Sequence, residues 1–331
     1  MKSKHVTMKD VAKLAGVTQA TVSYVINNSA NISDEVRDRV NRTIQELNYT
    51  PNYFARGLMT NKSNMFGIVI PDILNEYYAS IINELEKKLL KKHYSIVIHS
   101  TNYDPDAEIR VLRSLLGYNV EAIIFAYQPI GKSSFRILKE LSKPVVVLEG
   151  GTECQGVPCI NIDNFYGGYS ATKYLIEQGR KRLVYIGQNN DIEALRERCR
   201  GFWEAVKEFG QEETSAVFET SSPGNKWDEG VKLGVKLLNH DFDGIVVSSD
   251  VVAVGIIKSL LSAGKRIPED ISIIGYDDIP LAKLFVPALT TMAQPLKEMC
   301  TIAFEEILKG INGKKMQDVL LKPQLIKRET V

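Results

Sequence analysis

Residues that bind metals or form disulfides are scarce in this sequence. Its 331 residues include four cysteines and four histidines, and no two cysteines have the CxxC spacing. Zinc sites and disulfide frameworks need clustered or regularly spaced cysteines, so we expect neither and we expect the thiols to stay reduced. No metal or cofactor is predicted.

Long apolar runs and catalytic motifs are missing too. No stretch of about 18 apolar residues suits a membrane span, and no N-terminal apolar segment suits a signal peptide. The chain has no phosphate-binding loop, no GxSxG elbow and no HExxH zinc motif. These absences predict a cytoplasmic protein that has no membrane partner and is not an enzyme.

The chain has almost no net charge, but its charges are unevenly distributed. Its formal net charge is +1, yet residues 1–62 contain nine Lys and Arg against five Asp and Glu. A basic terminal module is typical of proteins that bind nucleic acid, although such termini also occur for solubility alone.

The first 50 residues predict three short helices. Thr7 and Asp10 have the spacing of a capping box, with Val11 and Leu14 on one face of the first helix. Gly16 suits the left-handed turn that ends this helix. Thr18 and Ser33 are expected to cap the second and third helices. Two helices joined by a glycine-containing turn, closed by a third, are typical of a helix-turn-helix unit.

From residue 65 the pattern changes to alternating strands and helices. Apolar runs such as "MFGIVIP" and "PVVVLE" alternate with amphipathic segments such as "YYASIINELEKKLLKK". A second set runs from "RLVYIG" to "ISIIGYDD", followed by a helix near 295–310 and a final strand near 319–328. This alternation predicts an α/β body with two parallel sheets, each covered by helices on both faces.

Several segments resemble one protein family. "VTMKDVAKLAGVTQATVSYVIN" and "YTPNYFARGL" are similar to the headpiece and hinge of lactose-repressor-type (LacI/GalR) transcription regulators. "GIVIPDILNEYYA", "INIDNFYGGYSATKYLIEQG" and "RERCRGF" follow in the family's order. The resemblance implies an all-α headpiece, a hinge, and a body of two doubly wound subdomains of the periplasmic-binding-protein-like type.

The resemblance also implies domain boundaries. We expect a headpiece over 1–50, a hinge helix and linker over 51–62, and an effector-binding and dimerisation domain over 63–331. Within that body, the N-subdomain is expected to comprise 63–162 and 291–320, and the C-subdomain 163–290 and 321–331.

In this family the second helix of the headpiece enters the major groove of operator DNA. Gln19 is suited to pair with adenine and Ala20 to touch a thymine methyl. The family usually has arginine where this chain has Tyr24, and a phenol cannot pair with both acceptors of guanine. The half-site is therefore expected to differ at that base pair, unless Tyr24 only packs along the DNA backbone.

The rest of the predicted DNA-binding set contacts phosphate or the minor groove. Short polar side chains suit phosphate, while the resemblance implies that Leu58 of the hinge wedges into the minor groove. The remaining members of this set are Thr18, Thr21, Ser23, Asn27, Tyr49, Asn52, Ala55 and Arg56.

The resemblance implies an effector site in the cleft of the body. An arginine and an acid beside aromatic walls suit a sugar, which needs hydrogen bonds to its hydroxyls and an apolar face. The expected effector-binding residues are Tyr77, Tyr78, Glu149, Arg198, Trp227, Ser249, Asp250 and Asp277.

The function expected from these features is repression of a carbohydrate-utilisation operon by a homodimer that a sugar controls allosterically. A sugar phosphate or a nucleoside remains an alternative effector, and a solute-binding protein remains an alternative function.

Overall fold

The computed structural model describes residues 6–26, 32–50, 62–129, 131–154, 156–188, 192–220 and 226–331. The chain divides into two compact units, the first ending at Ser63 and the second beginning at Asn64. Five residues of the predicted DNA-binding set lie outside the described residues. They are Asn27, Asn52, Ala55, Arg56 and Leu58.

The first unit contains three helices, α1 (Met8–Ala15), α2 (Gln19–Ile26) and α3 (Asp34–Glu46). They enclose a small apolar core. The core includes Val11, Ala12, Ala15, Val22, Val25, Val40 and Tyr49, with Val36, Ile44 and Leu47 packed against it.

Local signals set the ends of the first two helices. The backbone N–H of Thr7 donates to Asp10 Oδ2 at 2.9 Å, and the N–H of Asp10 donates to Thr7 Oγ1 at 3.4 Å, so the capping box forms. Gly16 ends α1 with φ 65°, in the left-handed region that favours glycine. The N–H of Thr21 donates to Thr18 Oγ1 at 3.1 Å, so Thr18 caps α2.

The structure differs from two expectations about these helices. Leu14 is 58% exposed, and Ala15 is buried in its place, because the inward face of α1 turns through Val11, Ala12 and Ala15. Ser33 stands at the N-cap of α3, but its hydroxyl makes no capping hydrogen bond.

The second unit alternates strands and helices. Its helices are α4 (Glu76–Leu90), α5 (Pro105–Gly117), α6 (Lys132–Glu140), α7 (Asn164–Glu177), α8 (Glu193–Glu208), α9 (Lys226–Leu237), α10 (Asp250–Ser262), α11 (Pro280–Leu284) and α12 (Leu296–Ile311). Its strands are β1 (Met65–Ile70), β2 (Ser95–Ser100), β3 (Ala122–Phe125), β4 (Val145–Leu148), β5 (Cys159–Ile162), β6 (Leu183–Gln188), β7 (Ala216–Glu219), β8 (Gly244–Val247), β9 (Ser272–Asp277), β10 (Thr290–Ala293), β11 (Val319–Leu321) and β12 (Gln324–Ile326).

The strands form two six-stranded sheets. The first sheet has the order β11-β5-β4-β3-β1-β2 and is parallel throughout. The second has the order β12-β10-β9-β8-β6-β7 and is parallel except for the β10–β12 pair. Strands β1, β3, β4, β8 and β9 are almost wholly buried because helices cover both faces. The predicted fold class is confirmed.

The chain passes between the sheets three times, and this differs from the expected division. The strand Thr290–Ala293 pairs with β9 in the second sheet, although 291–320 was expected to belong with the first. Leu321 pairs with Ile162 in the first sheet, one residue beyond the expected crossing. The single final strand expected near 319–328 is two short strands, one in each sheet. Strand partners are set by tertiary pairing, which the apolar pattern of a short run does not reveal.

Close packing of α7 against α8 places the start of α8 over the second sheet. A Cβ on Gly168 would lie 2.0 Å from the carbonyl oxygen of Arg198, and one on Gly201 would lie 2.1 Å from that of Phe165. Only glycine permits this approach of the two backbones, so these positions set the distance between α7 and the part of α8 that carries Arg198.

Candidate functional site

One face of α2 presents polar side chains to solvent. Thr18, Gln19 and Ala20 are exposed and Tyr24 is 46% exposed, whereas Val22 and Val25 are buried. Thr21 and Ser23 are half-buried beside this face, which leaves their hydroxyl groups at its edge. A short helix with one apolar and one polar face is what a groove-binding helix requires.

Tyr49 differs from the other described members of the DNA-binding set. Its side chain is only 9% exposed and packs in the core of the first unit. Burial raises the pKa of its phenol. Its packing role is therefore established by the structure, and a DNA contact stays a prediction.

A cavity in the second unit lies at the carboxyl ends of strands from both sheets, where open α/β sheets bind ligands. Its volume is about 100 Å³, enough for several water molecules and hence for a small polar ligand. The residues that line it are Asn75, Tyr77, Tyr78, Tyr103, Tyr127, Gln128, Glu149, Ile192, Ala194, Leu195, Arg198, Thr220, Lys226, Ser248, Ser249, Val252, Asp277 and Gln294.

Arg198 is the centre of a buried polar network beside this cavity. Its Nε donates to Asn164 Oδ1 at 2.7 Å, its Nη1 to the carbonyl oxygen of Ser248 at 2.8 Å, and its Nη2 to Glu149 Oε1 at 3.4 Å. The guanidinium also stacks on the ring of Tyr276, 3.6 Å from the ring centroid. Buried charges persist when they are paired and hydrogen-bonded in this way.

Asp277 lines the cavity and forms no salt bridge in the described part of the chain, although the positive charge of Arg198 still acts on its carboxyl group. Gln294 Nε2 donates to Asp277 Oδ1 at 2.8 Å, and Tyr77 Oη donates to Gln294 Oε1 at 2.8 Å. Burial raises the pKa of Asp277 to about 7. The backbone of Asp277 has φ 116° and that of Glu149 has φ 53°, conformations that residues with side chains rarely adopt and that are found in turns and at functional sites.

Four tyrosines contribute phenol groups to the wall that α4 and the first sheet provide. Tyr78 and Tyr103 share a hydrogen bond of 3.4 Å between their hydroxyls. Tyr127 donates to Glu108 at 2.8 Å and contacts the hydroxyl of Thr101 at 2.5 Å. Burial raises the pKa values of these phenols, that of Tyr103 to about 12, so they stay protonated at neutral pH.

The structure brings six of the eight expected effector residues to the cavity. They are Tyr77, Tyr78, Glu149, Arg198, Ser249 and Asp277. Asp250 is fully buried away from it and accepts hydrogen bonds from Thr291 Oγ1 at 2.6 Å and from the N–H of Ile279 at 3.0 Å. Trp227 is half-buried against the core of the unit and does not line the cavity. The structure therefore does not bring these two residues to the cavity, and an effector-binding role for them stays a prediction.

Sequence reasoning missed other polar residues of the cavity and its network. Asn75, Tyr103, Tyr127, Gln128 and Gln294 line it, and Asn164 holds Arg198. Only Asn164 had a usable signal, since it begins a helix directly after strand β5. The others come from loops that approach only when the sheets form.

A wider groove of about 900 Å³ lies along α4 and α12 and shares Tyr77, Asp277 and Gln294 with the cavity. Its other polar side chains, such as Asn83 and Glu298, are exposed on the helix surfaces. Ligand sites bury a few convergent polar groups, so the cavity is the stronger candidate.

Comparisons with known proteins agree with this arrangement. Residues 7–52 match the profile of bacterial regulatory proteins of the lacI family, and residues 172–331 match that of the periplasmic binding protein-like domain. The HTH-type transcriptional regulator RegA of Clostridium saccharobutylicum is 32% identical to this chain over 98% of both chains. The chain belongs to the LacI family. Like the other members, it is a DNA-binding transcription regulator.

Solved structures of the LacI family have the same fold. The transcriptional regulator CelR, solved in complex with cellobiose, is 27% identical with a TM-score of 0.70, over 98% of this chain and 100% of that one. The Lac repressor dimer bound to operator and the anti-inducer ONPF is 23% identical with a TM-score of 0.84, over 99% of both chains. In the described part of this family member, no helix is both long and apolar enough to cross a bilayer.

Proposed function

We propose that this chain is a homodimeric repressor of a carbohydrate-utilisation operon, and that an uncharged sugar in the cavity controls its affinity for operator DNA. The observation that supports this best is a buried cavity whose arginine and lysine are each already paired with a carboxylate. It is lined by Arg198 and Asp277, which have further donors and acceptors for hydroxyl groups. We propose that the protein acts in the cytoplasm and has no catalytic activity.

The charges of the cavity favour an uncharged sugar over a sugar phosphate. Arg198 is paired with Glu149 at 3.4 Å, and Lys226 is paired with Glu229 at 3.0 Å. Among the described lining residues, neither cation is without a carboxylate partner. A phosphate would have to displace one of these carboxylates and would also meet Asp277, and burying such repulsion is costly. The cellobiose complex of CelR is a further support for a neutral sugar.

The aromatic wall favours a sugar over a nucleoside. Tyr77 and Tyr78 meet edge to face, with ring centroids 5.3 Å apart, and so do Tyr103 and Tyr127, at 5.8 Å. The carboxylate of Glu149 and the amides of Gln128 and Gln294 line the same cavity. Such a mixture of donors and acceptors matches hydroxyl groups, which both donate and accept.

The effector is tested with a thermal-shift panel of matched ligands on the full chain. Each neutral sugar, such as cellobiose, ribose or glucose, is paired with its phosphate ester where one exists. We expect a neutral sugar to raise the unfolding temperature, because a ligand bound only to the folded state stabilises it. Stabilisation by phosphate esters alone would contradict the proposal.

DNA binding is tested by titrating a palindromic operator at several salt concentrations. For a dimer that presents two α2 helices to two half-sites, we expect half-site dependence and a steep loss of affinity with salt.

The segments 1–50, 51–62 and 63–331 are proposed as headpiece, hinge and effector-binding domain. The variant Leu58→Ala tests the hinge and is expected to weaken operator binding without weakening sugar binding. Unchanged occupancy of the operator would contradict that role.

A further inference from the structure

Two of the four cysteines lie against each other. Cys154 ends the short 3₁₀ turn after strand β4, and Cys159 begins strand β5. Both sulfurs lie within 2.6 Å of the point where a Cβ on Gly150 would stand, which limits their separation to 5.1 Å at most. The thiol of Cys159 donates to the carbonyl oxygen of Val157 at 3.2 Å, and the Cys154 sulfur lies beside it. Because Gly150 has no side chain, both sulfurs can approach the space where its Cβ would stand, and this brings them close to each other.

The segment that holds this pair also connects the two halves of the second unit. The N–H and the hydroxyl of Thr152 donate to Glu193 Oε2 at 2.8 Å and 2.7 Å. The N–H of Glu193 donates to Gln128 Oε1 at 2.8 Å. Thr152 and Gln128 belong to the half that contains the first sheet, and Glu193 begins α8 in the other half. We call these three residues the cross-cleft latch.

We propose that Cys154 and Cys159 are an oxidation site, at which hydrogen peroxide converts the two thiols into an intrachain disulfide. One thiolate attacks a peroxide oxygen, the O–O bond breaks, and a sulfenic acid and water are formed. The second sulfur attacks the sulfenic sulfur, the S–S bond forms, and the hydroxyl leaves as water. The two thiols lose two electrons and two protons, and the peroxide is reduced to two waters.

The site differs from the other two cysteines in having a partner. Cys154 and Cys159 are 2% and 3% exposed, and the flanking residues Thr152 and Gly156 are exposed. The neighbouring thiol of Cys159 and burial raise the pKa of the Cys154 thiol. Because thiolate is the reactive form, oxidation is expected to be slow at neutral pH and to become faster as the pH rises.

Bond formation is expected to release the cross-cleft latch. Disulfide geometry requires a sulfur separation of about 2.05 Å and a defined dihedral angle, so the turn that contains Cys154 must move toward strand β5. Thr152 lies two residues before Cys154 in that same turn. Its two hydrogen bonds to Glu193 are the contacts most directly affected.

Mass spectrometry of the full chain treated with hydrogen peroxide tests the site. Trypsin leaves Cys154 and Cys159 in one peptide, residues 140–173, because Lys143 precedes a proline. A bond between them lowers the mass of that peptide by about 2 Da and removes its two alkylatable thiols, whereas any other pairing links two peptides. We expect this change before any loss of the thiols of Cys199 and Cys300.

Three variants make the result decisive. Cys154→Ser and Cys159→Ser are each expected to abolish the 2 Da loss, and Cys199→Ser, which alters another buried cysteine, is expected to keep it. If peptide 140–173 keeps both thiols while Cys199 or Cys300 is consumed, or if it accumulates only sulfinic acid, the proposal is overturned.

Hydrogen exchange measures the connection to the latch. Oxidation is expected to accelerate exchange at the amide of Thr152 by at least about tenfold, because this N–H loses its acceptor. The Cys154→Ser variant treated in the same way should show no acceleration. A disulfide with unchanged exchange at Thr152 would overturn the connection to the latch.

Discussion

The two units use polar side chains in opposite ways. On α2 of the first unit, Gln19 and Tyr24 are exposed and leave the packing of the core to Val22 and Val25. In the cavity of the second unit, Arg198 is only 5% exposed, and three of its five N–H donors bind other protein groups. The same property, a polar functional surface, therefore depends on a single helix in one unit and on the packing of two sheets in the other.

This difference has an energetic consequence. An exposed polar residue on a helix contributes little to the free energy of unfolding, so its replacement changes recognition and not stability. A buried charge in a network stabilises only while its partners remain, so its replacement leaves those partners unsatisfied. We therefore expect the effector site to be coupled to stability and the DNA-binding face to be independent of it.

The largest expected effect is that of Arg198→Met. Loss of the guanidinium leaves the charge of Glu149 buried without its cation and removes one donor each from Asn164 and the Ser248 carbonyl, which should lower the free energy of unfolding by about 3–5 kcal/mol. Chemical denaturation of the full chain measures it.

Arg200→Met is the matched control for that substitution. Arg200 lies on the same helix, with its side chain 64% exposed, and pairs with Glu197 at the surface. A change within about 0.5 kcal/mol is expected for it. Equal losses for the two variants would break the distinction between buried and exposed polar groups.

Gly168→Ala tests whether packing alone places Arg198. The added methyl would meet backbone atoms of Arg198 at 2.0 Å and 2.7 Å, and backbone cannot move aside as a side chain can. A loss of about 2–3 kcal/mol and weaker effector binding are expected. Gly117→Ala adds the same methyl at the end of α5, where nothing lies within 4 Å, and should change stability by less than about 1 kcal/mol.

The sequence predicts features that depend on neighbouring residues better than features that depend on contacts between distant ones. Thr7, Asp10, Gly16 and Thr18 have their expected roles because capping and turn signals act over a few residues. The alternation of strands and helices also predicts the α/β fold, since buried parallel strands have distinctive apolar runs. These features depend on local chemistry, which is present in the order of the residues.

The cavity depends on contacts between distant residues, and there the predictions were incomplete. Tyr77 meets Gln294 across 217 positions of the chain. Asp250 directly follows a cavity residue, Ser249, yet its carboxylate points into the interior toward Thr291. Which way a side chain turns at the end of a strand depends on its neighbours in the sheet, and no local pattern reports it.

Asp277→Asn tests the electrostatic part of the comparison. Burial holds the pKa of Asp277 at about 7 in the folded protein, against about 3.9 in the unfolded chain. Between these two pKa values the folded state binds more protons than the unfolded chain. The free energy of unfolding of the wild type therefore falls as the pH rises from about 3.9 to about 7. Asparagine does not titrate, so the free energy of unfolding of the variant lacks this fall. Relative to that of the wild type, it should increase by about 2 kcal/mol between about pH 5 and about pH 8. Thermal unfolding at both pH values measures this gain, and a constant difference between the two proteins would contradict the shift.

The smallest effect on stability is expected for Tyr24, where recognition alone should change. Both Tyr24→Ala and Tyr24→Arg should alter the free energy of unfolding by less than about 0.5 kcal/mol, because the side chain is 46% exposed and outside the core. Selection of operators from randomised DNA should recover no guanine preference under this residue in wild type. The Tyr24→Arg variant should gain a guanine preference of about 1–3 kcal/mol at that base pair. If Tyr24 only packs along the DNA backbone, Tyr24→Ala will instead weaken all selected sequences equally, and a guanine preference already present in wild type would refute the altered half-site.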